Sequence, residues 1–243
     1  MFKNHGFQSK KVILNSASIA ESTCIYGYSK IGKNSIIDCF VVIGYPIRQK
    51  TKNSKQREGN NNVETWYDEI SNGSIIGENN HIRPFTTIYE DSILENNVET
   101  GTNVVIRENC KIGSGSIIGS GSILDSGVSI GINARIQSGN FIPPKIVLGN
   151  NIFLGPCVRF ANDPYPVSSE LTTTIVEDNV IIGIGAIILA GIRIEESAVI
   201  TAGSIVTKDV PSNQVMMGTP ARRVMSREEY DNKQKAYETS FSD

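Results

Sequence analysis

Large aliphatic side chains recur every six residues through most of this chain. The longest run goes from Ile70 through Ile76, Ile82, Ile88, Leu94, Thr100 and Ile106 onward to Leu148, Leu154 and Phe160, sixteen positions in register with only Thr100 polar. A second run spans Ile13 to Ile43 and a third spans Val176 to Val206. Only 39% of the chain is hydrophobic, so twenty-seven aliphatic or aromatic residues in twenty-eight slots cannot come from composition. A six-residue period predicts a parallel β-helix. Four residues after the large side chain comes, in most repeats, a small or β-branched one, as at Ser116, Ser122, Val128, Ala134, Ala186, Ala198 and Ser204. Each hexapeptide therefore sends one large and one smaller side chain into the core. Glycine often follows the large residue (Gly77, Gly101, Gly113, Gly131, Gly183), and it or Asn is expected to ease the corners. A coil can bury its apolar side only against its neighbours, so stability sums over stacked interfaces.

With 243 residues and a net charge of −2, the chain reads as one soluble unit with a small appendage, and neither nucleic acid nor membrane is expected as a partner. The N-terminal segment has no apolar stretch of signal-peptide or membrane-spanning length. Cys24, Cys39, Cys110 and Cys157 show neither metal spacing nor a pairing pattern, and are expected as thiols in a reducing cytoplasm. Cys110 occupies an inward slot. His5 and His81, the two histidines, cannot form a three-histidine zinc site within one subunit, and no metal is expected.

Function is expected where the repeat breaks, because loops on a rigid scaffold carry it. The first break, 44–69, holds Arg48, Lys50, Lys52, Lys55 and Arg57, then Asn60, Asn61 and Asn62, then Trp66. It reads either as a solvated loop whose Trp packs on the coil or as an arm that meets a phosphorylated ligand or a neighbouring subunit. The second break, 161–174, follows Phe160 and reads Ala161-Asn162-Asp163-Pro164-Tyr165-Pro166. By its residues alone this is an Asx-type turn ahead of a proline. The chain leaves the repeat through Thr201-Ala202-Gly203-Ser204-Ile205-Val206-Thr207-Lys208 and Gly218-Thr219-Pro220-Ala221-Arg222-Arg223. Ser226 and Glu229 then form a capping box that opens a helix to about Tyr237. The predicted division is a β-helix over 1–225 and a helical tail over 226–243.

The repeat, the breaks and the exit together resemble the hexapeptide-repeat acyltransferases. That resemblance implies an all-β, left-handed parallel β-helix of about nine 18-residue coils, with one long inserted loop and a short C-terminal helix. A loop placed after the first coils is similar to that of the sugar-nucleotide acyltransferases, the lipid A enzymes included. The segment from Leu154-Gly155-Pro156 to Pro166 resembles the "IGP…FTNDxYP" segment of enzymes that N-acetylate nucleotide-linked amino sugars. The exit resembles the "GAGSVVTKDVP…GNPAK" ending of members that use acyl-CoA, with Thr201 and Thr219 as departures. Acetyl-CoA is thereby implied as co-substrate, a homotrimer with sites between subunits as the assembly, and a nucleotide-linked amino sugar as acceptor. Gly183, Ala186 and Ala202 would let the pantetheine arm lie against the coil, and Lys208, Arg222 and Arg223 would meet phosphates.

An 18-residue coil stacks Glu90, Glu108, Ser126, Pro144 and Asn162 on one edge, with Asp91, Asn109, Gly127, Lys145 and Asp163 beside them. The resemblance places functional residues on this edge. Asn162 and Asp163 match the Asn-Asp turn of 3-amino-sugar N-acetyltransferases, whereas Pro144 stands where those enzymes carry Glu. Glu108 falls loosely where the lipid A enzymes carry a histidine base. Related O-acetyltransferases commonly have a catalytic histidine in the slot of Asp163. The "TGHN" of some relatives is Thr100-Gly101-Thr102-Asn103 here. His81 and Glu99, also 18 apart, are expected side by side as a candidate base and its orienting group.

A sugar hydroxyl attacking a thioester needs a positioned base, usually His, while a neutral amine already has its lone pair and needs chiefly orientation. The reading favoured is therefore N-acetyl transfer, with Asp163 and Asn162 orienting the amine or taking its proton and Glu108 lining the sugar pocket. The alternatives are a sugar O-acetyltransferase using His81 or Glu108 as base, and a non-catalytic solenoid scaffold.

Overall fold

A computed structural model describes residues 6–52, 62–168 and 170–241. Lys55, Arg57, Asn60 and Asn61 of the first break, and His5, lie outside them. Each hexapeptide forms one short strand and one corner. Twenty-seven such strands run from β1 (Ile13–Leu14) to β27 (Ile205–Val206), and two more, β28 (Gln214–Met217) and β29 (Arg222–Ser226), form an exit hairpin. In nearly every strand the first residue faces out and the second faces the core, as in Lys111–Ile112 and Arg135–Ile136. Strands pair in parallel with those one coil away, Ile93 with Lys111 and Ile117 with Arg135, so the 18-residue coil is observed directly.

The chain winds as a left-handed parallel β-helix. Its first sheet starts with β1 and has nine strands, its second starts with β2 (Ser18–Ile19) and has eleven, and its third starts with β3 (Cys24–Ile25) and has nine. Counting the partial turns at both ends gives about eleven turns, slightly more than the nine expected. The predicted large slots fill one continuous core from Ile25 to Val210. Burying one such side chain contributes roughly 1.5–3 kcal/mol. Thr100 is 1% exposed, and its hydroxyl accepts the Arg83 N–H at 3.0 Å, which satisfies the one polar slot.

Two slots depart from the expected register. Ile13 is 51% exposed, because Leu14 and not Ile13 pairs with Ile31 at the open first coil. Ile70 lies in helix α2 (Val63–Ile70) and is only half-buried, so the long run enters the core at Ile76. The glycines after the large residues also act differently from the expectation. A Cβ on Gly113 would stand 2.5 Å from the carbonyl carbon of Gly131 in the next coil, so close approach of backbones requires glycine there. Positive φ falls two residues later, at Asn79, Gly115 and Asn133. Some of these asparagines form ladders, with Asn151 Nδ2 donating to Asn179 Oδ1 at 3.2 Å.

The C-terminal helix α3 spans Arg227–Thr239 and opens on the predicted box. The Glu229 N–H donates to the Ser226 hydroxyl at 3.2 Å, and the Ser226 N–H to the Glu229 carboxylate at 2.7 Å. Among the described residues no helix is long and apolar enough to cross a membrane.

Candidate active site

Both breaks leave the solenoid at the same corner, where the third sheet passes into the first. The first lies between β6 (Val42–Tyr45) and β7 (Ile75–Ile76), and the second between β21 (Arg159–Phe160) and β22 (Ile175–Val176). They make ladder partners 45 and 28 residues apart instead of 18. Five coils separate the two exits, an edge of about 24 Å at the usual strand spacing. Glu90, Asp91, Glu108, Asn109, Ser126 and Lys145 lie along it, and Asn162 and Asp163 begin the second loop.

The first loop carries the short helix α1 (Arg48–Lys52) and then α2, whose first turn is capped by the Asn62 side chain accepting from the Glu64 and Thr65 N–H groups. Its Trp66 is buried, as the simpler reading of this loop requires. Both ends of the loop are tied to Glu90, which is fully buried. That carboxylate accepts the Ile47 N–H at 2.9 Å, the Lys50 ammonium at 2.6 Å and the Asn72 N–H at 2.6 Å. Asp68 adds a second tie by accepting the Gly27 N–H at 2.7 Å. Aromatic contacts then run from the loop into the wall. Tyr67 meets Tyr45 edge-on at 5.3 Å, and Tyr45 meets Tyr89 at 5.1 Å. Burial and the Tyr67 hydroxyl push the Tyr45 phenol well above its usual range.

The Arg107 guanidinium sits over the Tyr89 ring at 5.0 Å and holds Glu108 by both carboxylate oxygens, at 2.9 and 3.0 Å. It also approaches Asp125 at 3.6 Å. The hydrogen bonds to Glu108 raise the Arg107 pKa above its already high ordinary value. Glu108 is therefore committed to an ion pair, which suits a charged wall better than a proton acceptor. It lies three coils from Asn162, about 14 Å along the edge, so the two do not meet. The Cys110 thiol just inside this corner is fully buried, donates to the Asp125 carbonyl at 3.1 Å, and is pushed up to about 12 by burial.

At the second loop, Asp163 makes the Asx turn its sequence predicts. One oxygen accepts the Tyr165 N–H at 2.8 Å and the other the Ser168 N–H at 2.9 Å. The Asn162 carbonyl accepts the Thr172 N–H at 2.9 Å, closing the loop. Both residues are half-buried, while Pro164, Tyr165 and Pro166 are exposed. A cavity of about 340 Å³ lies toward the other end of the edge, lined by Tyr28, Lys30, Asn72 and Asp91 among others, and does not include Asn162 or Asp163.

His81 and Glu99 are ladder neighbours on the second sheet, the face opposite this corner. Their side chains do not pair with one another. The imidazole Nε2 lies 3.0 Å from Asp38, and Glu99 lies 3.5 Å from Arg83. Sequence alone gives no signal for Asp38 and places Glu90 on the edge without its partners, because these contacts span 43 and 40 residues.

The expected cofactor residues divide between two corners. Gly183 and Ala202 stack where the second sheet passes into the third, with the Ala202 nitrogen 2.5 Å from where a Gly183 Cβ would stand. Ala186 is fully buried in the core, so its methyl cannot line an outer groove as expected; its slot is the small inward one. Lys208 is exposed at the same corner as Asp163. Arg222 and Arg223 are exposed on β29, in an exit hairpin that the sequence reading did not resolve into strands.

A family model described as bacterial transferase hexapeptide (six repeats) matches residues 91–126. The chain is 42% identical over 83 residues to the galactoside O-acetyltransferase of Lactococcus lactis, covering 31% of this chain and 40% of that protein. It is 38% identical over 87 residues to the 2,3,4,5-tetrahydropyridine-2,6-dicarboxylate N-acetyltransferase of Staphylococcus aureus, covering 36% of each. The match thus spans less than half the length of these curated relatives. Among solved structures, the Arabidopsis UDP-N-acetylglucosamine acyltransferase superposes with a TM-score of 0.54 at 15% identity, covering 96% of this chain and 77% of that one, a likeness of fold.

Proposed function

We propose that this chain, a left-handed β-helix that matches the hexapeptide transferase model over residues 91–126, is an acetyl-CoA-dependent N-acetyltransferase. Its acceptor is the amine of a dTDP- or UDP-linked amino deoxysugar, and its role lies in surface-polysaccharide or glycan biosynthesis in the cytoplasm. The observation that carries this reading is the Asp163 turn. A carboxylate held by two backbone N–H groups stands at the end of an acid-lined edge, and the described residues of that corner include no histidine. An arrangement of this kind can attract and orient an ammonium group, yet it is poorly suited to ionising a hydroxyl.

In the proposed reaction the neutral amine adds to the thioester carbonyl. The C–N bond forms, the C–S bond breaks, and the nitrogen's surplus proton passes through Asp163 to the departing thiolate. Asn162 helps orient the sugar, and the Arg107–Glu108 pair faces a more distant part of the ligand. Gly183 and Ala202 offer backbone and room to the pantetheine arm, while Lys208, Arg222 and Arg223 meet phosphates. Asp163 and the Gly183–Ala202 stack lie on different corners of one chain, which favours a site completed between copies in a homotrimer. Exposed Ile123 and Phe141, ladder partners on the third sheet, give such an interface an apolar stripe. Release of coenzyme A on mixing acetyl-CoA with a panel of dTDP- and UDP-amino sugars tests the reading; no release with any amine overturns it.

A second reading rests on the His81–Asp38 contact. An imidazole oriented by a carboxylate at 3.0 Å has the geometry of a general base, as a sugar O-acetyltransferase would need. His81→Ala separates the two, since it abolishes turnover under the second reading and spares it under the first.

A further inference from the structure

Phe40 and Phe85 both occupy the turn position of the corner between the second and third sheets, at φ 58° and 62°. Left-handed backbone is unfavourable for a bulky side chain. Later coils fill the same position with Asn103, Gly121, Gly139, Gly185 and Gly203, residues that adopt it readily, and once with the smaller Cys157. The two rings nevertheless stack with their planes 7° apart and centroids 5.3 Å apart, and they remain 44% and 58% exposed. Two adjacent coils thus accept an unfavourable conformation to display aromatic faces to water. Stability alone does not account for that choice, because glycine or Asn would fit better. Two coils beyond Phe85, past Asn103, the same corner has room, since a Cβ on Gly121 would meet nothing within 4 Å.

The polar groups beside the rings indicate what the faces would receive. Asp38 and Arg83 each stand two residues before a ring. Asp38 spends one oxygen on His81, and Arg83 meets one oxygen of Glu99. The imidazole and both carboxylates stay partly exposed, His81 at 34%, Asp38 at 32% and Glu99 at 48% of their side-chain surface. A flat apolar face bordered by carboxylates, an imidazole and a guanidinium suits a pyranose ring. Its axial C–H groups stack on the phenyl while its hydroxyls both donate and accept at the rim. A nucleobase would stack equally well, but it offers polar groups only along its edge, whereas a pyranose carries hydroxyls around its whole ring for the groups at the rim.

We propose that the Phe40–Phe85 pair, with Asp38, His81, Arg83 and Glu99, forms a pyranose-binding subsite on the corner between the second and third sheets, away from the Asn162–Asp163 loop. It requires only binding, so it can fail or hold independently of the acyl-transfer reading. Saturation-transfer-difference NMR on the full chain, with methyl glycosides of glucose, galactose and N-acetylglucosamine and with UMP and AMP as controls, tests it. The expected result is transfer to ring C–H protons of at least one glycoside. Phe85→Asn should weaken it about tenfold or more, a stacking contribution of about 1.4 kcal/mol. The same variant should keep or raise the Tm, because Asn suits the backbone. Transfer to the nucleotides alone, no transfer to any glycoside, or transfer unchanged in Phe85→Asn would overturn the proposal. So would a fall in Tm or loss of the oligomer in both Phe85→Asn and Phe85→Gly, which would make the rings structural.

Discussion

Lys50 donates its ammonium to Glu90 at 2.6 Å, and this pair, with the N–H groups of Ile47 and Asn72, ties both ends of the first inserted loop to the coil wall. The Glu90 carboxylate is fully buried while Lys50 is partly exposed. Removing the acid leaves the Ile47 and Asn72 N–H groups and the Lys50 ammonium without their shared acceptor. Glu90→Ala should therefore lower the unfolding free energy by about 3–5 kcal/mol, the usual effect of breaking a buried pair. Urea titration measures it, and a change within about 0.5 kcal/mol, typical of surface substitutions, would show that the tie does not hold the loop.

The Asp163 turn should separate activity from stability. Its loop is largely exposed and contributes little to the core. Asp163→Ala should leave the Tm within about 2 °C of the parent while lowering kcat/KM by about 100-fold or more, the range for a lost proton acceptor. Equal activity in the variant would remove Asp163 from the reaction.

The thiols should divide by depth. Cys157 is exposed on an outer corner, whereas Cys110 is buried with its pKa pushed up to about 12. A disulfide reagent at neutral pH should label Cys157 rapidly in the native protein and Cys110 only after denaturation. Labelling of Cys110 at the native rate of Cys157 would contradict its packing.

Asp178 should confer acid sensitivity. The Asn150 N–H, and secondly the Asn150 side chain, hold its pKa below the usual carboxylate value. A depressed folded pKa gives stabilisation that is present above the unfolded pKa, about 3.9, and lost as pH falls through the lower folded value. The Tm difference between the parent and Asp178→Ala should then be largest near neutrality and shrink below about pH 4. A constant difference across that range would show that the carboxylate's charge is not the source.

Much of this architecture is legible in the chain because burial in a solenoid repeats with the sequence. Ile112, Ile130 and Leu148 stack one on the next as their spacing predicts. The same regularity misleads where another element happens to fall in phase, as Ile70 does inside α2, or where an end coil shifts by one residue, as at Leu14. The glycine that often follows a large residue is visible in the sequence, but its reason, backbone contact between coils, appears only once coils are stacked. The site was less legible. Asn162 and Asp163 announced their turn because its bonds are local. Glu90, Asp38 and Arg107 act through partners brought together by the coil and the inserted loop, and one-dimensional spacing cannot show which side chains turn toward them.

The central claim is that the Asp163 loop serves an amine. It is tested most directly by kcat/KM for coenzyme A release with a matched pair of acceptors, one dTDP- or UDP-linked amino deoxysugar and its counterpart bearing hydroxyl at the same carbon. The account predicts turnover with the amine at least about 100-fold above the hydroxyl compound, retained in His81→Ala and lost in Asp163→Ala. Preference for the hydroxyl acceptor, abolished by His81→Ala and unaffected by Asp163→Ala, would contradict it.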